Sequence, residues 1–470
     1  MMIRDHFRAG DFRAGQPSEA HIADVRELYF ALLDDCRREQ AMPRARRYLV
    51  ERLQEACDLA DELPPEGLPS GPWLSRRLEE VGDAYRRYLD ARTAGRPRRF
   101  FSNRAHALYF LRGVAPTKLV DGAWLHGLLR RWRDPQFLPL IRTYLEELGD
   151  GSPDLNHVVL YRNLLASVGC EDWEGGRAQA DYVQGAIQLA LAFHADEFLP
   201  EVIGFNLGYE QLPLHLLITA HELDELGIDP YYFTLHVTVD NAANGHARKA
   251  LKSVADIAPT GVGREEFLRR VRLGYRLNML GSSTESVIRG FDLDAELIRV
   301  LADKSAVGRY MHSDHCRIGG RSVTQWLAER GNIRAFLDAL QQQGWIKRGR
   351  PPSESRFWQL IRGERAEMFG VFSAYEVQVL EDWIAGDAAV APSRSFRQME
   401  RLRRARAKTG EQAAETSDDE PRLEERLAEC VDRASLLDAL PRMMSPSRHH
   451  TVAGLFATRM FSETLGVAPP

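Results

Sequence analysis

Apolar residues recur at helical spacing along most of the chain. In segment 21–40 (HIADVRELYFALLDDCRREQ) they lie three and four residues apart, with acidic residues early and arginines late, as in an amphipathic helix. Segments 44–63 and 73–92 repeat this pattern, and the breaker cluster LPPEGLPSGP (63–72) separates them. Further helices are predicted at 118–148, 155–168, 177–195, 199–223 and 230–255. Because valine-rich alternating runs are scarce, the class predicted is all-α.

The carboxyl-terminal part keeps the helical texture from about residue 283, in DLDAELIRVLADKS and IRAFLDALQQQGW. A basic block followed by an acidic block then leaves hardly any large apolar residue between Leu402 and Leu423, which is typical of a solvated linker or disorder. We predict an N-terminal helical extension (1–95), a central bundle (96–282), a C-terminal helical region (283–386), a linker or disordered segment (387–425) and a short helical tail (426–470). In the tail, SRHHTVAG is predicted to be a surface turn.

Composition excludes several classes of partner. The 470 residues are 44% hydrophobic and 27% charged, as in soluble globular proteins. The net charge of −5 gives no basic field for nucleic acid. No apolar run reaches the ~18 residues of a membrane span, and no signal peptide is recognised, so we expect no membrane partner. Five cysteines without a CxxC pair suit a reducing cytoplasm.

The segment HVTVDNAANGHARKAL (236–251) carries candidate metal ligands. His236 and Asp240 are four residues apart, so a helix places them on one face. The flanking residues are small or apolar, and a buried aspartate is costly unless it is paired or binds a metal. His246 is ten residues beyond His236, about 80° off that face, so it reaches the same site only if the helix bulges or breaks. Asn244-Gly245 is a weak point where it could do so.

Two other stretches add carboxylates and a histidine. In YLEELGDGSPDLNHVVLYRNLL (144–165), Glu147 ends a helical run and His157 opens the next after the GDGSP break. Glu210 lies in the apolar stretch EVIGFNLGYEQLPLHLL, and alone it could simply face solvent. Jointly these residues have the composition of a carboxylate-bridged di-metal site in a helical bundle. Oxygen and imidazole ligands suit iron or manganese, and these stretches lack the thiolates that suit zinc.

The motif EELGDGSPDLNH resembles the first signature of the haem-oxygenase-like di-iron oxidases, also described as iron-containing redox enzymes. The resemblance implies that Glu147 and His157 are metal ligands, that Glu210 in GYE is the next, and that His236, Asp240 and His246 form the last signature. The commoner pattern has its second histidine three residues after the aspartate, where this chain has Ala243. The form HVTVDNAANGHA looks like a subgroup in which that histidine comes three residues later.

Three further residues are candidate ligands of the same site. The family takes a carboxylate from an early core helix, and Asp121 in TKLVDGAWLHGLL matches it by position. His126 on the same segment is a rival. His221 follows Glu210 by eleven residues and would share its helix face, so it could complete the site or be a capping or surface residue.

The resemblance covers roughly residues 100–260. It implies a haem-oxygenase-like bundle at 96–282 with helical extensions on both sides, two Fe(II) ions per chain and O2 as co-substrate. The reaction expected is oxidation of a small molecule in specialised metabolism, by amine N-oxygenation or by oxidative cleavage or desaturation of a carbon chain. An external electron donor and a homodimer remain open.

Two other functions remain open. The first is a metal-free helical binding or scaffold protein whose buried polar residues pair with each other, and the second is a metal-free enzyme on the same bundle. A hydrolase, an NTPase and a dinucleotide-binding protein are disfavoured, because G-x-S-x-G, the P-loop and G-x-G-x-x-G are missing from any strand–helix setting.

Overall fold

The computed structural model describes residues 24–64, 69–239, 245–308, 310, 315–364, 366–386 and 430–466. Within these ranges the regular structure is helical apart from one small antiparallel hairpin. Its strands are β1 (Arg317–Ile318) and β2 (Arg321–Ser322), with Arg317 opposite Ser322. The all-α prediction is therefore confirmed. No helix in the described ranges combines the length and the apolar character needed to cross a membrane.

The helices vary from one turn to more than six turns. In chain order they are α1 (Val25–Leu33), α2 (Arg38–Cys57), α3 (Gly71–Thr93), α4 (Arg104–Lys118), α5 (Leu138–Glu147), α6 (His157–Ser167), α7 (Val183–Phe193), α8 (Leu199–Tyr209), α9 (Leu214–Glu225), α10 (Tyr231–Val239), α11 (His246–Ile257), α12 (Arg264–Arg276), α13 (Thr284–Arg289), α14 (Leu293–Gly308), α15 (Val323–Leu327), α16 (Ile333–Gln342), α17 (Arg356–Arg362), α18 (Ala374–Ala385), α19 (Arg433–Ala439) and α20 (Val452–Leu465). Short 3-10 segments lie at Ala123–Arg131, Pro135–Phe137, Gly149–Gly151, Gln179–Tyr182, Leu277–Met279, Arg330–Asn332, Pro352–Glu354 and Leu440–Arg442.

Helix α7 lies at the centre of the bundle. Its residues from Val183 to Ala192 are all buried, as expected for a helix that is apolar on nearly every side. Helices α1, α2 and α4 and the 3-10 segment Ala123–Arg131 pack around it. Several surrounding helices begin at a side chain that caps them. For example, Asn103 accepts a hydrogen bond from the backbone N–H of His106 at the start of α4, and Asn156 caps α6 in the same way.

Several predicted helices are interrupted. The predicted helix at 199–223 is two helices, because Pro213 cannot continue the helical hydrogen bonds and the chain turns between Tyr209 and Leu214. The one at 118–148 turns at Gly122, whose φ is +76°, and continues as a 3-10 segment. The one at 230–255 is also two helices, of which the second begins at His246. These interruptions place candidate ligands at helix ends.

The tail packs against the central bundle. Tyr144 on α5 donates a hydrogen bond to the carbonyl of Met444 at 2.6 Å. His449 is only 2% exposed and its Nδ1 lies 3.1 Å from the side-chain amide of Asn156, so the surface-turn prediction was wrong. The prediction was wrong because a short polar sequence does not indicate which distant parts of the chain pack over it. The segment predicted as a linker, 387–425, lies outside the described residues, and the predicted region boundaries stay predictions.

Candidate metal centre

Two groups of buried carboxylate and imidazole side chains lie side by side in the bundle. The first consists of Asp121, Glu147, His157 and His236, and the second of Glu147, Glu210 and His246. Within each group, one ligand atom from every residue lies within 4.8 Å of the others. We call these groups the first and the second cluster. Glu147 belongs to both.

The two carboxylate oxygens of Glu147 face different histidines. Oε2 lies 2.6 Å from Nδ1 of His157, and Oε1 lies 3.4 Å from Nδ1 of His246. Glu147 is the last residue of α5, and its side chain packs on Gly122, where an added Cβ would lie 2.8 Å from the Glu147 Cβ. The glycine therefore lets the Asp121 turn approach Glu147 closely. This orientation suits a carboxylate that bridges two cations.

Asp121 lies in the turn after α4 rather than on the helix predicted for it, and it is 1% exposed. Its Oδ2 accepts a hydrogen bond from the hydroxyl of Tyr232 at 2.5 Å and lies 3.8 Å from Nζ of Lys118. Burial favours the neutral acid, but the nearby Lys118 ammonium counters it, and the pKa of Asp121 lies well below its usual range. Asp121 is therefore an ionised, buried carboxylate.

His236 presents an unprotonated nitrogen to this carboxylate. Its Nδ1 donates to the backbone carbonyl of Tyr232 at 2.8 Å, which assigns the proton to Nδ1 in the neutral ring. Burial and the neighbouring His157 lower the pKa of His236, so the ring is neutral. Nε2 lies 3.2 Å from Oδ2 of Asp121, a contact that is a hydrogen bond only if the ring carries a second proton, so in the neutral ring the Nε2 lone pair faces the carboxylate. Two acceptors at this distance repel each other unless a cation lies between them.

The second cluster is formed at two helix ends. Glu210 caps the end of α8 and is 3% exposed, so the solvent-facing alternative was wrong. His246, the first residue of α11, donates from Nδ1 to Oε2 of Glu210 at 2.9 Å and from Nε2 to Oε2 of Glu146 at 2.7 Å. Burial opposes its charge, but Glu210 and Glu146 raise the pKa of His246 well above the usual value. Without a metal, His246 is therefore an imidazolium.

The donor atoms fit a metal ion. Oδ1 of Asp121 and Oε1 of Glu210 are buried and have no hydrogen-bond partner. Nδ1 of His157, although 2.6 Å from Glu147, does not have the angles of a hydrogen bond to it. Buried carboxylate oxygens normally have hydrogen-bond partners, so Oδ1 of Asp121 and Oε1 of Glu210 indicate a site that fits a cation. Carboxylate oxygens and imidazole nitrogens suit iron or manganese.

The remaining candidates fall elsewhere. Asp240 lies outside the described residues. His221 on α9 belongs to neither cluster, and its Nε2 lies 3.3 Å from Oε1 of Glu225. His126, the rival of Asp121, also belongs to neither and packs against Tyr144. Its pKa falls to about 3 because it is buried.

Three residues that contact the candidate ligands were not predicted from the sequence. Glu146 accepts hydrogen bonds from His246, from Lys249 and from Arg142. Burial raises its pKa, but His246 and Lys249 outweigh burial and lower the pKa to about 2. Because Glu146 directly precedes the candidate ligand Glu147, the sequence could have suggested that it contacts another ligand of the same site. Tyr232 also had a signal, since it precedes His236 by one helical turn. Lys118 had none.

A cavity of about 470 Å³ extends from the two clusters to the surface between α3, α4 and α9. Glu147, Glu210 and His236 line its inner end, and the partly exposed Arg77 lines its outer part. Its walls are mainly apolar: Leu74, Leu78, Val81, Phe110, Val114, Leu212, Leu214, Leu216, Phe233 and Met279. A mainly apolar cleft with convergent polar groups at one end is typical of a small-molecule site.

Comparison with known families identifies one. Residues 108–279 match the sequence profile of the family described as iron-containing redox enzyme. The family predicted from EELGDGSPDLNH is thereby confirmed over this stretch, and the haem-oxygenase-like all-α fold class with it. Both clusters lie entirely within the matched residues. Comparison with curated proteins and with solved structures gave no match.

Proposed function

We propose that this protein is a non-haem di-iron oxidase or oxygenase that uses O2 to oxidise a small molecule. The reaction is N-oxygenation of an amine, or oxidative cleavage or desaturation of a carbon chain. The observation that carries the proposal is the double role of Glu147, whose two oxygens face the two clusters. A carboxylate shared in this way supports a bridged pair of metal ions rather than two independent sites.

In this proposal each cluster holds one iron. Asp121, Glu147, His157 and His236 would hold the first iron, and Glu147, Glu210 and His246 would hold the second. Asp240, the family's remaining ligand by position, stays a proposed ligand of the pair. The negative charges of the three described carboxylates largely offset the positive charges of two divalent cations. A buried site with little net charge has a smaller desolvation cost than one with a large net charge. Two Fe(II) ions, when bound, supply electrons that reduce O2.

In this proposal, the surrounding side chains orient the metal ligands and keep water away from the substrate. The Nδ1–H···O bond from His236 to Tyr232 fixes which ring nitrogen faces the metal, and Glu146 does the same for His246. Lys118 donates to the hydroxyl of Tyr209 at 3.0 Å, which places a cation at the inner end of the cavity beside Asp121. The apolar walls exclude water from the substrate. We expect a substrate with an apolar body and a cytoplasmic location, and an external electron donor stays open.

Anaerobic Fe(II) titration followed by exposure to O2 tests the proposal. We expect two equivalents of iron per chain and a transient visible absorption band that requires both. His236→Ala should lose the first equivalent and the band. Failure of the wild-type protein to bind iron, or binding that His236→Ala leaves unchanged, overturns the proposal.

The alternative is a metal-free helical binding or scaffold protein. The pairs that His246 forms with Glu210 and Glu146 favour it, because they already satisfy that imidazolium without a metal. The facing acceptors of Asp121 and His236 disfavour it. An absence of iron binding together with a normal, cooperative unfolding transition would support this alternative.

A further inference from the structure

A continuous series of polar contacts joins the second cluster to the carboxyl-terminal helix α20. Nε2 of His246 donates to Glu146 at 2.7 Å, and Nε of Arg142 donates to the other oxygen of Glu146 at 3.0 Å. The two terminal nitrogens of Arg142 donate to the two oxygens of Asp150 at 2.7 and 2.6 Å. The hydroxyl of Ser462 on α20 donates to Asp150 at 2.6 Å.

These contacts are shielded from solvent. Arg142 is 8% exposed and Ser462 5% exposed, and the side chains of Glu146 and Asp150 are 14% and 20% exposed. Charged hydrogen bonds that are sheltered in this way are stronger than surface ion pairs, and the two-pronged Arg142–Asp150 contact also fixes orientation. A displacement at one end of the series can therefore reach the other end.

Asp150 is held in an unusual conformation. Its φ is +49°. No other non-glycine residue in the described ranges has a positive φ. Such a conformation persists when surrounding contacts impose it. Arg142 and Ser462 supply those contacts, and Arg459 on α20 adds a hydrogen bond to the neighbouring carbonyl of Gly151 at 3.2 Å. The turn between Glu147 and His157 is thus shaped from outside by α20.

We propose that α20 positions His246 for the second metal ion through Ser462, Asp150, Arg142 and Glu146. Helix α20 lies outside residues 108–279, so the proposed contact series joins the matched region to a helix beyond it. Arg142 is the central positioning residue, since it contacts both Glu146 and Asp150. The inference rests on the proposed function, because it assigns His246 to the second metal ion.

Arg142→Lys is the decisive variant, because lysine keeps the charge but cannot form the two-pronged contact. Ser462→Ala removes the outermost contact. Thr458→Val is the matched control: its hydroxyl is also buried on α20 but donates within the helix, to the carbonyl of Gly454 at 2.8 Å. All three variants are compared as full chains with the wild type.

Stepwise anaerobic Fe(II) binding is the first measurement. Loss of a contact behind a metal ligand typically weakens binding about 10–100-fold, so Arg142→Lys should weaken the second equivalent by roughly that factor. Ser462→Ala should weaken it by a smaller factor, and the first equivalent should change less than the second in both. Thr458→Val should bind as the wild type does. Equal weakening of both equivalents, or the same loss in Thr458→Val, overturns the inference.

Crystal structures of the metal-free variants are the second measurement, and they separate this inference from the proposed function. In Arg142→Lys the ring of His246 should move away from Glu210, whereas in Thr458→Val it should keep the 2.9 Å contact. If the wild type binds no iron, the proposed function fails, and a displaced His246 ring still supports positioning by α20. An unmoved ring in Arg142→Lys overturns it.

Discussion

Nδ1 of His157 lies 2.6 Å from Oε2 of Glu147, although ten residues separate them in the chain. Glu147 ends α5 and His157 begins α6, so the turn between the helices brings the two side chains together. Burial opposes the imidazolium charge, but Glu147 raises the pKa of His157, so the two form a buried ion pair in which a bound cation could replace the proton. The same glutamate then extends to His246 in the second cluster.

Three carboxylate variants should separate the two metal positions. Asp121→Asn should weaken the first iron equivalent, Glu210→Gln the second, and Glu147→Gln both, because only Glu147 belongs to both clusters. Losing a carboxylate that contacts the metal should reduce affinity by roughly tenfold or more, equivalent to about 1.4 kcal/mol. Anaerobic titration with Fe(II) measures each equivalent, and circular dichroism should show nearly unchanged helix content.

Glu201→Gln is the control for these variants. Glu201 is as buried as Glu210 and lies on α8, the helix whose end Glu210 caps, but it accepts hydrogen bonds from Arg270 at 2.6 Å. Its substitution should lower stability and leave iron binding intact. If Glu210→Gln fails to fold while Glu201→Gln folds, Glu210 is a structural residue and its assignment as a ligand is wrong.

Iron binding should release protons at the second cluster. The pKa of His246 is raised well above its usual value, so at neutral pH the metal-free protein holds a proton that a metal must displace. Affinity for the second equivalent should therefore rise with pH, by about tenfold per unit for one proton, until the pKa of His246 is passed. Calorimetry in buffers of different ionisation enthalpy counts the protons. A second equivalent that binds without proton release contradicts the assignment of His246.

The turn at Gly151 should be intolerant of a side chain. Its φ is +81°, and an added Cβ would lie 2.4 Å from the carbonyl oxygen of Leu455 on α20. Gly151→Ala should cost about 3 kcal/mol of unfolding free energy, because strain and steric overlap add. Gly261→Ala is the control: its φ is +83° with no atom within 4 Å of the added Cβ, so about 1 kcal/mol is expected. Urea unfolding measures both, and equal costs would mean that α20 does not confine the turn.

The cavity should bind apolar molecules independently of iron. Val114 on α4 lines it, and Val114→Trp would fill part of the 470 Å³. Affinity for the neutral probe N-phenyl-1-naphthylamine, followed by fluorescence, should fall by roughly tenfold or more. Iron stoichiometry should stay the same. Val114→Ala, which enlarges the cavity, should still bind the probe, and undiminished binding in Val114→Trp would place the probe elsewhere.

Residue patterns were sufficient for the fold class and for naming side chains that the fold brings together, while their role as ligands stays a prediction. Helical spacing of apolar residues is a local property, so it identified the helices, and six of the seven candidate ligands lie in the two buried clusters. The seventh, Asp240, lies outside the described residues. Helix ends were predicted less well, because Pro213 and Gly122 interrupted runs whose apolar spacing continued past them.

The sequence by itself therefore determined the all-α class, the family resemblance and the residue types of the candidate site, because each depends on spacing along the chain. Only the tertiary structure decided that Glu147 faces both clusters and that α20 packs on the turn at Gly151. It also decided that the charged side chains of Lys118 and Glu146 lie beside Asp121 and His246. The physical reason is distance. Electrostatic and packing contacts depend on separation in space, and residues more than 300 positions apart, such as Asp150 and Ser462, carry no local pattern that links them.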